Sequence, residues 1–216
     1  MKRVDNEAGM RALPRSRMTQ QRLGWAAVPA IVLAGCAASS PPPLLLHLPA
    51  GVPAAAAQAP VATATAAATT YQLMLPVRLP DYLDRAELLV PQGAVLSPMP
   101  GVRWAEPLRE AVPRLLRADL AALLGPGRLW SAPLPPGVAA QRQLRVEITA
   151  FEADAARSLV RLRASWSDAA TTATMAPTVQ MTVIEVAATD NSAPALATAH
   201  RQVLWELARR IAATAR

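Results

Sequence analysis

Between Gln143 and Phe151 apolar and polar side chains alternate: Leu144, Val146 and Ile148 fall on one face, Arg145, Glu147 and Thr149 on the other. Val160, Leu162, Ala164 and Trp166 alternate in the same way against Arg161, Arg163 and Ser165. A period of two with one polar face describes half-buried antiparallel strands. Thr178 to Val186 predicts a third strand. Upstream, Tyr71 to Val77 reads as a strand with Pro76 near its end or on a sheet edge. Glu87–Val90 and Ala94–Leu96 predict a hairpin about Pro91-Gln92-Gly93. Leu44 to Leu48 predicts one further short strand.

Elsewhere the apolar spacing changes to that of helices. Leu108, Val112, Leu115, Leu116, Leu120, Leu123 and Leu124 form one stripe, opened near Pro107 and closed by Gly125-Pro126-Gly127. Glu106 and Glu110 suit the positive end of such a helix, while Pro113 predicts a kink or a delayed regular start. A last helix is predicted over about Ala195 to Ala213. Leu196, Val203, Leu204, Leu207 and Ile211 lie on its apolar face, and Arg209, Arg210 and Arg216 near its negative end. Strands, helix, three strands and helix predict a mixed α/β, α+β-like domain: one sheet of mainly antiparallel strands with two main helices packed on it.

The 216 residues hold a formal charge of +7. Six basic and two acidic residues precede Cys36, leaving sixteen basic and thirteen acidic residues after it. A nucleic-acid binder keeps its basic excess in the folded domain. This chain does not, so no nucleic-acid partner is expected. Cys36 is the sole cysteine, which excludes an internal disulfide and a paired-thiolate metal site.

The surroundings of that cysteine explain it. Arg22 precedes an apolar run from Leu23 to Val32, followed by Leu33-Ala34-Gly35-Cys36. A basic start, a short apolar stretch and small residues at the exit describe a secretory signal peptide. The run is well short of the roughly 20 residues that a spanning helix needs. Residues 1–35 are read as the leader, with Met18 an alternative start, and residues 36–216 as the mature chain. Leu33-Ala34-Gly35-Cys36 resembles the bacterial lipobox, which implies diacylglycerol on the Cys36 thiol and an acylated amino end. Three acyl chains anchor firmly where one binds only marginally. Ala37 stands where an Asp often signals inner-membrane retention, which favours the outer membrane. Residues 49–70, rich in Ala, Pro and Thr and free of charge, are expected to connect the anchor to a main body over 71–216.

Two motifs in the body carry a second resemblance. Leu79-Pro80-Asp81-Tyr82-Leu83-Asp84-Arg85, following Val77-Arg78, and Arg103-Trp104-Ala105-Glu106-Pro107-Leu108 resemble the ABC-transport auxiliary lipoprotein family typified by PqiC, also called YmbA. Ser39-Ser40-Pro41-Pro42 and Leu207-Ala208 with Ile211-Ala212 fit the same pattern. The chain departs from it at Leu45-Leu46-His47-Leu48, where a Tyr-rich strand is usual, and at Ala86-Glu87 in place of Pro-Gln. The resemblance implies a periplasm-facing outer-membrane lipoprotein. It would work with an MCE-domain protein and in some systems an ABC transporter, moving lipid between membranes and supporting envelope integrity, with self-association part of the picture. The alternative is a stand-alone envelope lipoprotein that binds an apolar ligand or stabilises the outer membrane.

No nucleophile–base constellation, metal cluster or phosphate loop is legible, so no catalytic residue, no cofactor beyond the covalent lipid on Cys36, and no enzymatic activity are expected. His47 and His200 are the only histidines, and His200 is expected at the surface or boundary of the last helix. Asp81 and Asp84 could form an acid–base pair, but Asp84 is expected to pair with an arginine and organise a turn. Arg103 to Pro107 reads first as the architecture of a helix start. Replacing Cys36 with Ser should abolish acyl labelling and tight membrane fractionation; labelling that persists in the variant would rule out Cys36 as the lipid site.

Overall fold

Strand alternation sorts the apolar side chains onto the inner faces of two sheets. The computed structural model describes residues 41–53, 69–174 and 176–215. The leader, Met18, Cys36, Ser39-Ser40 and residues 54–68 of the connector lie outside the described residues. Among the described residues, eight strands occur in the order β1 (Leu44–Leu46), β2 (Tyr71–Leu73), β3 (Glu87–Gln92), β4 (Val95–Trp104), β5 (Leu129–Ser131), β6 (Arg142–Asp154), β7 (Leu159–Ala170) and β8 (Val179–Ala187). Helix α1 (Leu108–Leu124) lies between β4 and β5, and α2 (Ala193–Thr214) ends the described body.

The α+β class holds, with two helices on a strand-rich frame. The single, mainly antiparallel sheet is corrected to two mixed sheets, ordered β1-β4-β3 and β5-β2-β6-β7-β8. β1 runs parallel to β4, and β2 runs parallel to both β5 and β6. These parallel partners are three-residue strands, too short for a two-residue period to announce direction or pairing. Helix α2 packs on β6, β7 and β8 and α1 packs on α2, so one core lies between the helices and the sheets.

β6 and β7 match their alternation, and the third strand is present as β8, with Val179, Met181 and Val183 facing outward and Ile184 inward. In β6 a bulge between Ile148 and Ala150 inserts one residue, so the inward series runs Leu144, Val146, Ile148 and then Phe151, Ala153. The upstream hairpin turns at Gly93-Ala94, not about Pro91-Gln92-Gly93, and Gly93 adopts a φ of 63° that suits glycine. β4 then runs far beyond Leu96, through Pro98 and Pro100. Prolines lack the donor that a central strand needs. They are tolerated because β1 pairs only with Val102 to Trp104, leaving the proline stretch with one neighbour. β2 stops at Leu73, short of the strand expected to reach Val77.

Helix α1 begins one residue after Pro107 and buries Leu108, Val112, Leu115, Leu116, Leu120 and Leu124. Leu123, expected on that stripe, is only partly covered. Pro113 stays inside the helix. Its position in the second turn removes one backbone donor without ending the element. α2 starts earlier than expected, at Ala193, because the Ser192 hydroxyl caps the N–H of Ala195 at 3.4 Å.

One polar contact is built into this core. Asp119 of α1 and Arg201 of α2 form a bidentate ion pair at 2.8 and 2.6 Å, each side chain 3% exposed. The same guanidinium donates from Nε to the Pro49 carbonyl (2.7 Å) and from Nη2 to the Gly51 carbonyl (2.9 Å). Arginine's planar fork thus ties both helices to the segment after β1. Burial pushes the Asp119 carboxyl up, and the two hydrogen bonds from Arg201 oppose it. Removing one partner of a buried pair typically costs about 3–5 kcal/mol, because the other charge stays uncompensated. Asp119→Asn and Arg201→Met should each lower urea-unfolding stability by about that amount. The double variant should cost less than the sum of the singles. Losses near zero for either single variant would show the pair to be dispensable.

Candidate functional site

The two sequence motifs, eighteen residues apart, meet in space. After the bridge between Arg78 and Glu147, Leu79 and Pro80 are partly covered, and Asp81–Asp84 forms a single 3-10 turn closed by Leu83 N–H donating to Pro80 O (3.0 Å). Leu83 points into the core. The other motif ends β4 and starts α1. Trp104 N–H donates to Ala86 O at 2.6 Å, and Ala105 N–H donates to Leu46 O at 2.7 Å, locking this corner to both flanking strands. Asp84 pairs with Arg109 in the first turn of α1, Arg103 lies 3.6 Å from Glu87 across β3 and β4, and Glu106 pairs with Arg114. Trp104 and Leu108 are buried, whereas Ala105 and Pro107 are exposed around the corner.

Tyr82 has a distinct task. β2 ends early, so the far half of β6 lacks a neighbour on that side, and Phe151 N–H donates instead to the Tyr82 hydroxyl at 3.1 Å. The phenol donates on to Glu152 Oε1 at 3.2 Å. Burial pushes the Tyr82 phenol up to about 12, so it remains a neutral donor.

The reading of Asp84 as a turn-organising partner of an arginine agrees with the Arg109 pair, and Arg103 to Pro107 forms a helix start. Asp81 and Arg85 are exposed and form no ion pair among the described residues. Among the described residues, Asp84 is engaged by Arg109 and Asp81 stands exposed, so the two aspartates do not share a site. No cluster of three metal-ligating side chains occurs among the described residues.

His200 is corrected from a surface or boundary residue to a core one. It is 1% exposed, because α2 buries nearly its whole circumference at this level, with Ala199, Arg201 and Val203 also inside. Its Nδ1 lies 2.8 Å from the Leu196 carbonyl, to which it donates as the neutral ring. Trp104 and Phe151 meet it edge-on, with ring centroids 5.3 and 4.7 Å away. The void among Leu83, Trp104, Phe151 and His200 is only about 10 Å³, too small for a ligand. The motif junction is therefore a packed joint whose exposed rim carries Asp81, Arg85 and Ala105.

Sequence reading missed the pair Asp119–Arg201 and the burial of His200. A signal existed: Asp119 falls within the stripe of Leu115, Leu116 and Leu120, and Arg201 lies four residues from both Ala197 and Trp205 on α2. A charge on an apolar stripe asks for a buried partner, but only the tertiary structure says which.

Burial holds the His200 imidazole at about 4, below its ordinary 6.5. A depressed folded-state value means that the unfolded chain takes up the proton first. His200 therefore contributes stability that is full above pH 6.5 and is lost as pH falls through 4. The loss should reach roughly 3 kcal/mol. Urea titrations between pH 7 and 4 should show this slope in the parent and a flatter one in His200→Phe; equal slopes would mean that another group carries the titration.

Comparison with known proteins places the fold. A family model described as an ABC-type transport auxiliary lipoprotein component matches residues 54–212, a span that holds both motifs. A solved structure titled only as an uncharacterized protein aligns with a TM-score of 0.62 at 16% identity, covering 81% of this chain and 99% of that one. A Xanthomonas campestris protein titled as a member of DUF330 aligns with a TM-score of 0.56 at 15% identity, covering 69% of this chain and 84% of that one. At such identities the likeness concerns the fold alone. No protein of curated function matches. Among the described residues no helix is long and apolar enough to cross a membrane. With its family model matching β2 to β8, α1, nearly all of α2 and both motifs, the chain belongs to the ABC-type transport auxiliary lipoprotein family.

Proposed function

We propose that this protein is a non-enzymatic accessory subunit of an MCE-type, ABC-linked intermembrane lipid-transport system, held at the periplasmic side of the outer membrane by lipid on Cys36. The observation that carries the reading is the family match over residues 54–212, from before β2 almost to the end of α2. The motif joint supports it. Its residues are used to fix the start of α1 against β3, β4 and β6, which suits a rigid body that docks. β1 (Leu44–Leu46) already belongs to the body, so lipid on Cys36, eight positions before it, would hold the body close to the membrane. On this reading Asp81, Arg85 and Ala105, exposed at the rim of the joint, are available to an MCE-domain protein, and assembly rather than turnover is the output.

The test is copurification of the mature lipoprotein with the MCE-domain protein encoded beside it. A complex should form without nucleotide or metal, and charge reversal at Asp81 and Arg85 should weaken it while thermal melting is unchanged. No association in either the acylated or unacylated form would defeat the accessory-subunit reading and leave a stand-alone envelope lipoprotein.

A further inference from the structure

Among the described residues, no helix packs on the outer face of β7 and β8. Helix α2 covers the inward row of β8, where Ile184 is 3% exposed. The outward row presents Val179, Met181 and Val183, which are 58%, 83% and 54% exposed. In register beside Val179 and Val183 lie Ser167 and Arg163 of β7, and Ser167 pairs in turn with Arg145 of β6. Arg78, bridged to Glu147, extends the same face. Of these, Arg78, Arg145 and Val179, together with Leu75, border an open groove of about 430 Å³ that Ser165 and Ser167 also line; Arg163, Met181 and Val183 lie on the same face outside it. Arg78, Arg145 and Arg163 are exposed, and among the described residues none has a carboxylate within ion-pair distance. Glu147 is the one carboxylate lining the groove, and Glu185, farther along the outward row of β8, is already paired with Arg161, so Arg78, Arg145 and Arg163 leave a positive excess beside the apolar row.

We propose that this sheet face binds the surface of an anionic phospholipid bilayer. Unpaired guanidiniums meet phosphates bidentately, and Met and Val side chains can enter the headgroup zone without a shaped pocket. Strand addition by a protein partner is disfavoured at the middle of β8, because Arg210 of α2 already donates to Thr182 Oγ1 and to the Val183 carbonyl (3.3 Å). The face itself carries no aromatic anchor of the kind that dominates protein interfaces. This contact needs neither the proposed protein partner nor acylation.

The test floats the unacylated mature chain, residues 36–216 with Cys36→Ser, on vesicles. It retains the entire compact unit from Pro41 onward with its single core. The parent should float with phosphatidylglycerol-containing vesicles, fall off as salt rises, and stay behind with pure phosphatidylcholine. Arg145→Glu with Arg163→Glu should lower the partition roughly tenfold or more. Arg117→Glu, on the exposed side of α1, should bind like the parent. Parallel melting curves establish that the variants are folded. Equal binding by the double variant, flotation on neither vesicle, or equal flotation on both would overturn the proposal. So would Met181→Asp abolishing self-association while vesicle binding persists, which would assign the face to a second copy.

Discussion

The bidentate contact between Arg201 and Asp119 organises the body. Two fully desolvated charges are costly to bury, and their attraction offsets that cost only in one geometry. Here the geometry also recruits the carbonyls of Pro49 and Gly51, so four hydrogen bonds converge on one guanidinium. The consequence is positional. α1 and α2 cannot slide past each other without stranding a charge, and the segment after β1 cannot leave without stranding two of arginine's donors. Apolar stripes alone would permit more registers.

From that fixed helix pair the motif joint follows. α2 brings His200 beneath the end of β4, where Trp104 and Phe151 surround the ring. The start of α1 is held above by Asp84 and the carbonyl of Ala86 is taken by Trp104. Tyr82 completes the far edge of β6 that β2 is too short to reach. The family's two motifs therefore act through architecture: they close a corner between the two sheets and the first helix. Only their outer rim, with Asp81, Arg85 and Ala105, stays exposed.

The two sides of the five-stranded sheet have different physical characters. One side is dry and set by the helices. The other keeps Met181 and Val183 beside unpaired arginines, with the strand edge guarded by Arg210. A bare apolar row with no basic neighbours would invite aggregation. Interleaved arginines keep this one solvated and select for an anionic partner.

Much of this could be read from local patterns. Alternation placed β6 and β7, because each is long and half-buried, so a period of two persists over many residues; β8 was legible as a strand, but not that Val179, Met181 and Val183 would face outward. Helical stripes, with Pro107 and Gly125 at the ends of the first, placed α1 and α2 to within a few residues. Leu79 to Arg85 and Arg103 to Leu108 pointed to the family without any geometry. What the chain could not announce locally were the long-range choices: the division of strands into two sheets, the parallel pairing of β1 and β2, the run of β4 through Pro98 and Pro100, and the depth of His200. Each depends on which neighbour arrives from far along the chain. Asp119 and Arg201 are 82 positions apart, and nothing in either stripe names the other. Sequence determined where apolar faces form, because that is a property of spacing; tertiary structure alone decided which charges share a core, because desolvation is settled only when distant segments close around them.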